Sequence, residues 1–373
     1  MPQNYVVEYS TDNMVFTALS NVQDISIFVG RHRQLDPYSS SRAVITVRYP
    51  TGFASPITAL TSGNFIRINN QSSGQFMFTG VINNVNVSYG IPYAGGVGNA
   101  DFLTLSVEGS FSRYGRVQGL GYSMAADTLY EQLLDCSTQT GLSVQTLSTN
   151  TQALAATTVD GSWGDWLAAV LQTINGRVWD SQAAGITTVR TPFNVTTSPI
   201  TFSDTANNAT NQVYDKVDFG SYADNYYTQV TVDPESFAAA TVQTGSAPYR
   251  TLQLNTLNAS TAQATDYANY LLNNFDTQGF ALLSISCLAE AQNTFKLDAV
   301  SGQTSNHMAT IPGTQVNVTF RGTTFACIIE GASMSATPAS SRCTYYLSGA
   351  DLNAYLILNN ALFGKLDSNK LGY

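Results

Sequence analysis

The amino-acid sequence predicts a mainly β protein in which two related β-barrels flank a small α+β domain. Three observations carry this. Short alternating apolar and polar runs, punctuated by Gly, Asn, Ser and Pro, fill the chain from Tyr5 to about Gly109 and return from Val213 onward. Between those stretches the apolar spacing changes to a helical period. A hairpin pattern also occurs twice, which points to an internal repeat. Gly63 leads into Phe65-Ile66-Arg67-Ile68, a polar turn, a strand from Gln75 to Thr79 and then Gly80. Gly313 leads into Val316-Asn317-Val318-Thr319-Phe320, a turn at Arg321-Gly322, a strand from Thr323 to Glu330 and then Gly331. Each copy continues into further strand-like sequence and one more strand, Phe102 to Val107 in the first and Cys343 to Leu347 in the second.

The first barrel is assigned to residues 1–116, with strands at Asn4 to Tyr9, Ile25 to Val29 and Arg42 to Tyr49 ahead of the hairpin, and a glycine-rich loop from Gly90 to Gly98. The α+β domain is assigned to 117–200. Ser123 is expected to cap a helix carrying Ala126, Leu129, Leu133 and Leu134 on one face, ended by Gly141. Ser162 and Asp165 form an acid-bearing capping box for a second helix with the stripe Trp166, Leu167, Val170, Leu171 and Ile174, stopping near Gly176. A hairpin of Arg177 to Asp180 and Ile186 to Arg190 follows. The second barrel is assigned to 201–373, with strands at Lys216 to Phe219, Tyr226 to Val232 and Ala281 to Cys287. It includes one helix from Thr261 to Phe275, apolar at Ala264, Tyr267, Ala268, Leu271, Leu272 and Phe275. The apolar ending, Leu352 to Leu358 and on to Asp367, is expected to dock on a neighbour or on its own barrel.

At 373 residues the chain is long enough for two or three cores. Only 11% of residues are charged, less than half of the roughly 25% typical of soluble domains, so the surface suits a protein packed into an assembly. The net charge of −9 and the lack of any basic cluster beyond Arg31-His32-Arg33 disfavour phosphate gripping. The same sign of charge would let a polyanion slide past without sticking. Cys136, Cys287, Cys327 and Cys343 match no zinc spacing and are too sparse for a disulfide scaffold, so reduced thiols are expected. Met1-Pro2-Gln3-Asn4-Tyr5 shows no basic and apolar leader, and no apolar run is long enough to span a bilayer, so folding in a cytoplasm is expected.

The residues of familiar active sites are thinly represented. The two histidines, His32 and His307, read as surface residues, and no phosphate-cradling Gly-x-x-x-x-Gly-Lys motif occurs. Glu108, Glu290 and Glu330 are the carboxylates from which a glycosidase pair would have to be built. Trp166 and Trp179 read as core, while Trp163 is left open as a sugar-stacking platform. No catalytic, cofactor-binding or metal residue is assigned, no cofactor is expected, and the chain is not expected to be an enzyme.

The run Phe28-Val29-Gly30-Arg31-His32-Arg33-Gln34-Leu35-Asp36, followed by Ser41-Arg42-Ala43-Val44-Ile45-Thr46-Val47 and then Gly63 to Ile68, resembles the start of minor tail proteins of long-tailed bacteriophages. The ending from Leu356 to Asp367 is similar to endings in the same proteins, and the helix near 124 to 139 with Trp166-Leu167 to Asp180 is similar in layout to the inserted domain of baseplate hub proteins. The resemblance implies a structural tail hub or tail-tip protein whose two barrels are of the tail-tube type. It implies a homotrimer whose barrels form a pseudo-six-fold ring, a tail tube or distal tail protein above, and a spike, fibre or tape-measure protein at the centre or below. Genomic DNA would pass through the channel without specific binding. The location implied is the virion tail tip or baseplate, assembled in the bacterial host cytoplasm. The strands around Ile66 to Phe78 and Val316 to Ile329 are expected to be edges that extend the sheet across subunits. Two alternatives remain at this point: a carbohydrate-binding receptor protein of the virion, testable at Trp163, and a cell-wall or polysaccharide hydrolase, testable at Glu330.

Overall fold

The computed structural model describes residues 5–49, 60–70, 76–90, 100–146, 152–180, 186–190, 196–205, 211–221, 226–276, 281–288 and 312–349. The glycine-rich loop from Gly90, Glu290, His307 and the apolar ending all fall largely or wholly outside them. The chain opens with β1 (Tyr5–Ser10), β2 (Thr17–Ala18), β3 (Val22–Gly30), β4 (Arg42–Tyr49), β5 (Phe65–Asn70), β6 (Phe76–Ser88) and β7 (Asp101–Glu108). Their inward positions, such as Ile25, Ile27, Ile45, Ile66, Ile68 and Leu105, alternate with outward ones as the sequence pattern requires.

A short α1 (Phe111–Tyr114) leads into the inserted unit: β8 (Tyr122–Met124), β9 (Asp127–Thr128), α2 (Leu129–Thr140), β10 (Ser143–Thr146), β11 (Ala153–Leu154), β12 (Thr157–Val159), α3 (Trp163–Thr173), β13 (Arg177–Asp180) and β14 (Ile186–Arg190). The expected capping box is present, with Ser162 Oγ accepting from Asp165 N at 3.1 Å and Asp165 Oδ2 accepting from Ser162 N at 3.2 Å. The first helix differs from expectation. Ser123 lies in β8, laddered opposite Thr158, and the cap is Thr128, whose hydroxyl accepts from Glu131 N. The local strand pairing outcompetes the earlier cap, and Leu134 ends up exposed. Gly141 does end α2, in the left-handed conformation.

The chain continues with β15 (Thr196–Ser203), β16 (Asn211–Val213), β17 (Lys216–Gly220), β18 (Gln229–Pro234), β19 (Ala240–Gln243), β20 (Thr251–Thr256), α4 (Thr261–Phe275), β21 (Ala281–Leu288), β22 (Thr314–Phe320), β23 (Thr323–Ala336) and β24 (Ser341–Gly349). The strand expected from Tyr226 to Val232 becomes β18, which leaves the main sheet and pairs with β19 and β20. Together with the buried face of α4, laid out as expected, these strands form a separate small core. That unit docks on the insert, where Leu257 N donates to Thr173 Oγ1 and Tyr267 OH donates to the Gln172 carbonyl.

The main sheet has 14 strands and contains one connectivity twice. The first seven strands run β2-β1-β5-β6-β7-β4-β3 in space. The set β15, β16, β17, β21, β22, β23 and β24 runs β16-β15-β22-β23-β24-β21-β17. Numbered in chain order, both read second, first, fifth, sixth, seventh, fourth, third. The sense differs at one strand, because β1 lies antiparallel to both β2 and β5 whereas β15 lies parallel to both β16 and β22. The β18 to α4 unit is spliced between β17 and β21, where the first set has only the connection 31–41. The two curled sheets join through antiparallel pairing of β3 with the second half of β23, and their interiors share a continuous apolar cluster.

The hydrogen-bond register aligns the two copies residue by residue and corrects the glycine match. Gly63 N donates to the Ile82 carbonyl and Gly313 N to the Ile329 carbonyl. In each copy the next residue is bulged out: Ile82 faces Val107 and Asn84 faces Ser106, while Ile329 faces Leu347 and Gly331 faces Tyr346. Asn83 and Glu330 are therefore equivalent, and Gly331 corresponds to Asn84 rather than to Gly80. The hairpin turn is shorter in the second copy, and that offset made the glycine spacings coincide.

Candidate assembly site at the barrel junction

Where β3 meets β23, two glycines let backbones approach more closely than side chains would permit. A Cβ on Gly331 would lie 2.4 Å from the Arg31 carbonyl oxygen, and one on Gly30 would lie 2.4 Å from that of Glu330. Arg31 N donates to the Glu330 carbonyl at this crossing. The bulge at Glu330 turns its side chain into the junction, a use to which β-bulges are well suited.

There the Glu330 carboxylate is held from three sides. Arg31 Nε donates to Oε2 at 2.9 Å, and Arg31 Nη2 lies 2.8 Å from the same oxygen. Arg177, the first residue of β13, donates through Nη2 to Oε1 at 2.6 Å, and Ser348 Oγ of β24 donates to Oε1 at 2.6 Å. One carboxylate thereby ties the first sheet, the inserted unit and the second sheet together. Glu330 is 0% exposed, Arg177 2% and Arg31 6%. The second guanidinium is not left bare, since Arg31 lies over the Tyr38 ring at 4.5 Å and donates to the Asp36 carbonyl.

Burial alone would push the Glu330 carboxyl up, but the Arg177 and Arg31 charges and the hydrogen bonds from Arg177 and Ser348 overcome it, holding it down at about 2. Arg177, whose charge burial disfavours, is nonetheless held firmly protonated by Glu330. A carboxylate in this state can neither donate a proton nor reach a substrate, so the geometry removes Glu330 from the candidates for glycoside hydrolysis. Glu108 lies elsewhere, bound to Asn83 and Arg116.

A second buried carboxylate fixes the insert to the first sheet. Asp180 accepts from Ser110 Oγ at 2.6 Å, from Phe111 N at 2.9 Å and from Ser41 N at 3.2 Å. Burial pushes its pKa up, and those hydrogen bonds only partly offset it.

The remaining sequence candidates fall into structural positions. Trp163, left open as a sugar platform, is 2% exposed and packs against Tyr122 and Trp166, and Trp166 and Trp179 are buried as expected. The exposed His32 stacks on Phe28 and edges onto Tyr346, and Arg33 pairs with Asp36. All four cysteines are buried, and burial pushes the Cys136 thiol up to about 12. Among the described residues no three His, Cys, Asp or Glu side chains cluster to hold a metal, and no helix is long and apolar enough to cross a membrane.

The expected sheet edges are interior. β5 is flanked by β1 and β6, and β22 by β15 and β23, with Ile66 and Val318 fully buried. Among the described residues of the 14-stranded sheet the long open edges belong instead to β17, laddered only to β21, and to the Asn84 to Ser88 half of β6, laddered only to β7.

The backbone path of this chain is shared with solved tail proteins. The 43 kDa tail protein of prophage MuSo2 from Shewanella oneidensis superposes with a TM-score of 0.65 at 12% identity, over 93% of this chain and 99% of that one. A tail protein from Neisseria meningitidis gives 0.61 at 14% identity, over 92% and 96%. A prophage tail protein from Listeria monocytogenes gives 0.50 at 9% identity, over 92% and 94%. No protein-family model and no curated protein matches the sequence. The likeness lies in the backbone path, with few side chains in common.

Proposed function

We propose that the chain is a structural hub or tail-tip protein of a bacteriophage tail, with barrels at 1–116 and 201–373 and the insert at 117–200. Three copies place six like barrels in a pseudo-six-fold ring, which joins a six-fold tube to a three-fold spike or fibre and lines the DNA exit channel. The observation that carries this is the repeated seven-strand path locked into one sheet by the β3–β23 ladder. The low charge density and negative balance suit a packed particle with a passage for DNA. The role is mechanical rather than catalytic, in keeping with the ion-paired state of Glu330.

The test is the solution mass of the purified chain with electron-microscopy class averages. A mass near three times 40.0 kDa with annular averages supports the hub. A compact monomer at every concentration, also in the presence of tail-tube protein, would refute the ring.

A further inference from the structure

The internal repeat specifies how one copy of this chain meets the next. Inside the chain, the third strand of the first set (β3) pairs with the sixth strand of the second set (β23). The equivalent strands of the opposite sets are β17 and β6, and among the described residues of the 14-stranded sheet these carry the long open edges. Among the described residues each copy therefore holds one completed contact of this type and the two unmatched halves of another.

We propose that β17 of one copy pairs antiparallel with the open half of β6 in a second copy, repeating between subunits the β3–β23 contact. This rests on the ring reading above and names its interface. The contact is heterologous, so it propagates head to tail and closes into a ring when the rotation between barrels permits. Edge-to-edge pairing supplies main-chain hydrogen bonds to strands that otherwise invite indiscriminate association.

The register follows from the internal contact. Ser335 faces Ser26 in the β3–β23 ladder. Ser335 faces Arg342 and Ser88 faces Phe102, at equivalent points of β24 and β7, so Ser88 stands for Ser335. Ser26 faces Val44, which faces Ser106, while Asp218 faces Ser284, which faces Tyr346, so Asp218 stands for Ser26. Ser88 of one copy should thus lie opposite Asp218 of the next, and Tyr89 opposite Val217. Ser88 and Tyr89 are exposed, with Tyr89 presenting a 63% exposed aromatic ring at the edge. Among the described residues Asp218 pairs with the solvated Lys216 and accepts from Ser284 Oγ.

The experiment is site-directed disulfide trapping in the full chain. Opposed residues of an antiparallel pair have Cα atoms about 4.5–5.5 Å apart, within the span of a disulfide. The variants Ser88→Cys, Asp218→Cys and the double variant are oxidised mildly, and native mass and non-reducing electrophoresis are read side by side. The double variant should give a reductant-sensitive ladder ending at the ring's full complement, at least tenfold more than either single variant. The off-register pair Asn84→Cys with Asp218→Cys should give little. A ring of correct mass without the Ser88–Asp218 ladder overturns this interface and leaves the hub reading standing. A chain that remains monomeric and forms no ladder overturns both. Both positions are solvated, so melting temperatures equal to that of the parent chain verify that the variants fold.

Discussion

Asn83 and Glu330 occupy the same bulge in the two copies of one sheet, yet their surroundings are opposites. Asn83 donates to Glu108 on the facing strand, and Arg116 bridges the two in solvent. Glu330 accepts from Ser348 at the position equivalent to Glu108, and two arginines from other parts of the fold close over it. The carboxylate has changed strands between the copies. In the second copy, where another barrel sits against the bulge, the charge is buried and clamped. In the first copy, where the edge is open, it is solvated and loosely paired. The same backbone feature therefore serves as a permanent joint on one side of the molecule and, in the proposed ring, as a meeting point on the other.

The sharpest way to break that comparison is to neutralise the two bulges. Glu330→Gln leaves two buried guanidiniums facing an amide and should cost about 3–5 kcal/mol, whereas Asn83→Ala, in solvent, should cost less than about 1 kcal/mol. Urea unfolding of both variants checks this; equal losses would mean that the clamp contributes nothing special. The acid limb supplies an independent reading. Glu330 titrates at about 2 when folded against an ordinary value of 4.5. Its stabilisation is therefore full above the unfolded value and is lost as pH falls from 4.5 toward 2. Asp180, shifted upward, acts with the opposite sign, but it is common to both proteins. The stability gap between the parent and Glu330→Gln should thus narrow over that window; a gap independent of pH would contradict the ionised clamp.

A smaller contrast separates Gly331 from its counterpart Asn84. A methyl on Gly331 would press against the main-chain oxygens of Arg31 and Val29, which cannot move without opening the β3–β23 joint. Gly331→Ala should cost about 1–3 kcal/mol as an overpacking defect, while Asn84→Ala on the open edge should stay within about 0.5 kcal/mol. Thermal melts of the two variants decide, and a silent Gly331→Ala would show that the joint has slack.

Much of the fold was legible in the sequence because its elements are locally determined. The Ser162 box, the α4 stripe from Ala264 to Phe275 and the left-handed stop at Gly141 are all encoded within a few residues. Neighbour relations in the sheet are not local, so the sequence pattern of β5 and β22 is that of edges although each is covered on both sides. For the same reason the sequence of β18 reads as a barrel strand, since alternation reports a half-buried strand without saying which sheet it joins. The clamp was missed altogether. Its faint signal was a single Glu ending the apolar run Ala326-Cys327-Ile328-Ile329, where burial makes a partner obligatory. Arg31 was visible inside the Gly-Arg segment, but nothing in the chain's order links it to Glu330, 299 positions away.

The mildest test concerns the solvated pair itself. Arg116 and Glu108 lie 3.0 Å apart with side chains 55% and 33% exposed, a setting in which ion pairs are worth about 0–1 kcal/mol and weaken with salt. Arg116→Ala should therefore barely move the melting temperature of the isolated chain, and less still in high salt. If the first bulge is a meeting point, the same substitution should alter assembly while leaving the fold alone, because a docked neighbour would exclude water from the pair and raise its weight. Measuring melting and native mass on one sample separates the two effects. An Arg116→Ala chain that loses several kcal/mol as a monomer would mean that the first bulge is already a structural joint, and the contrast between the two copies would fail.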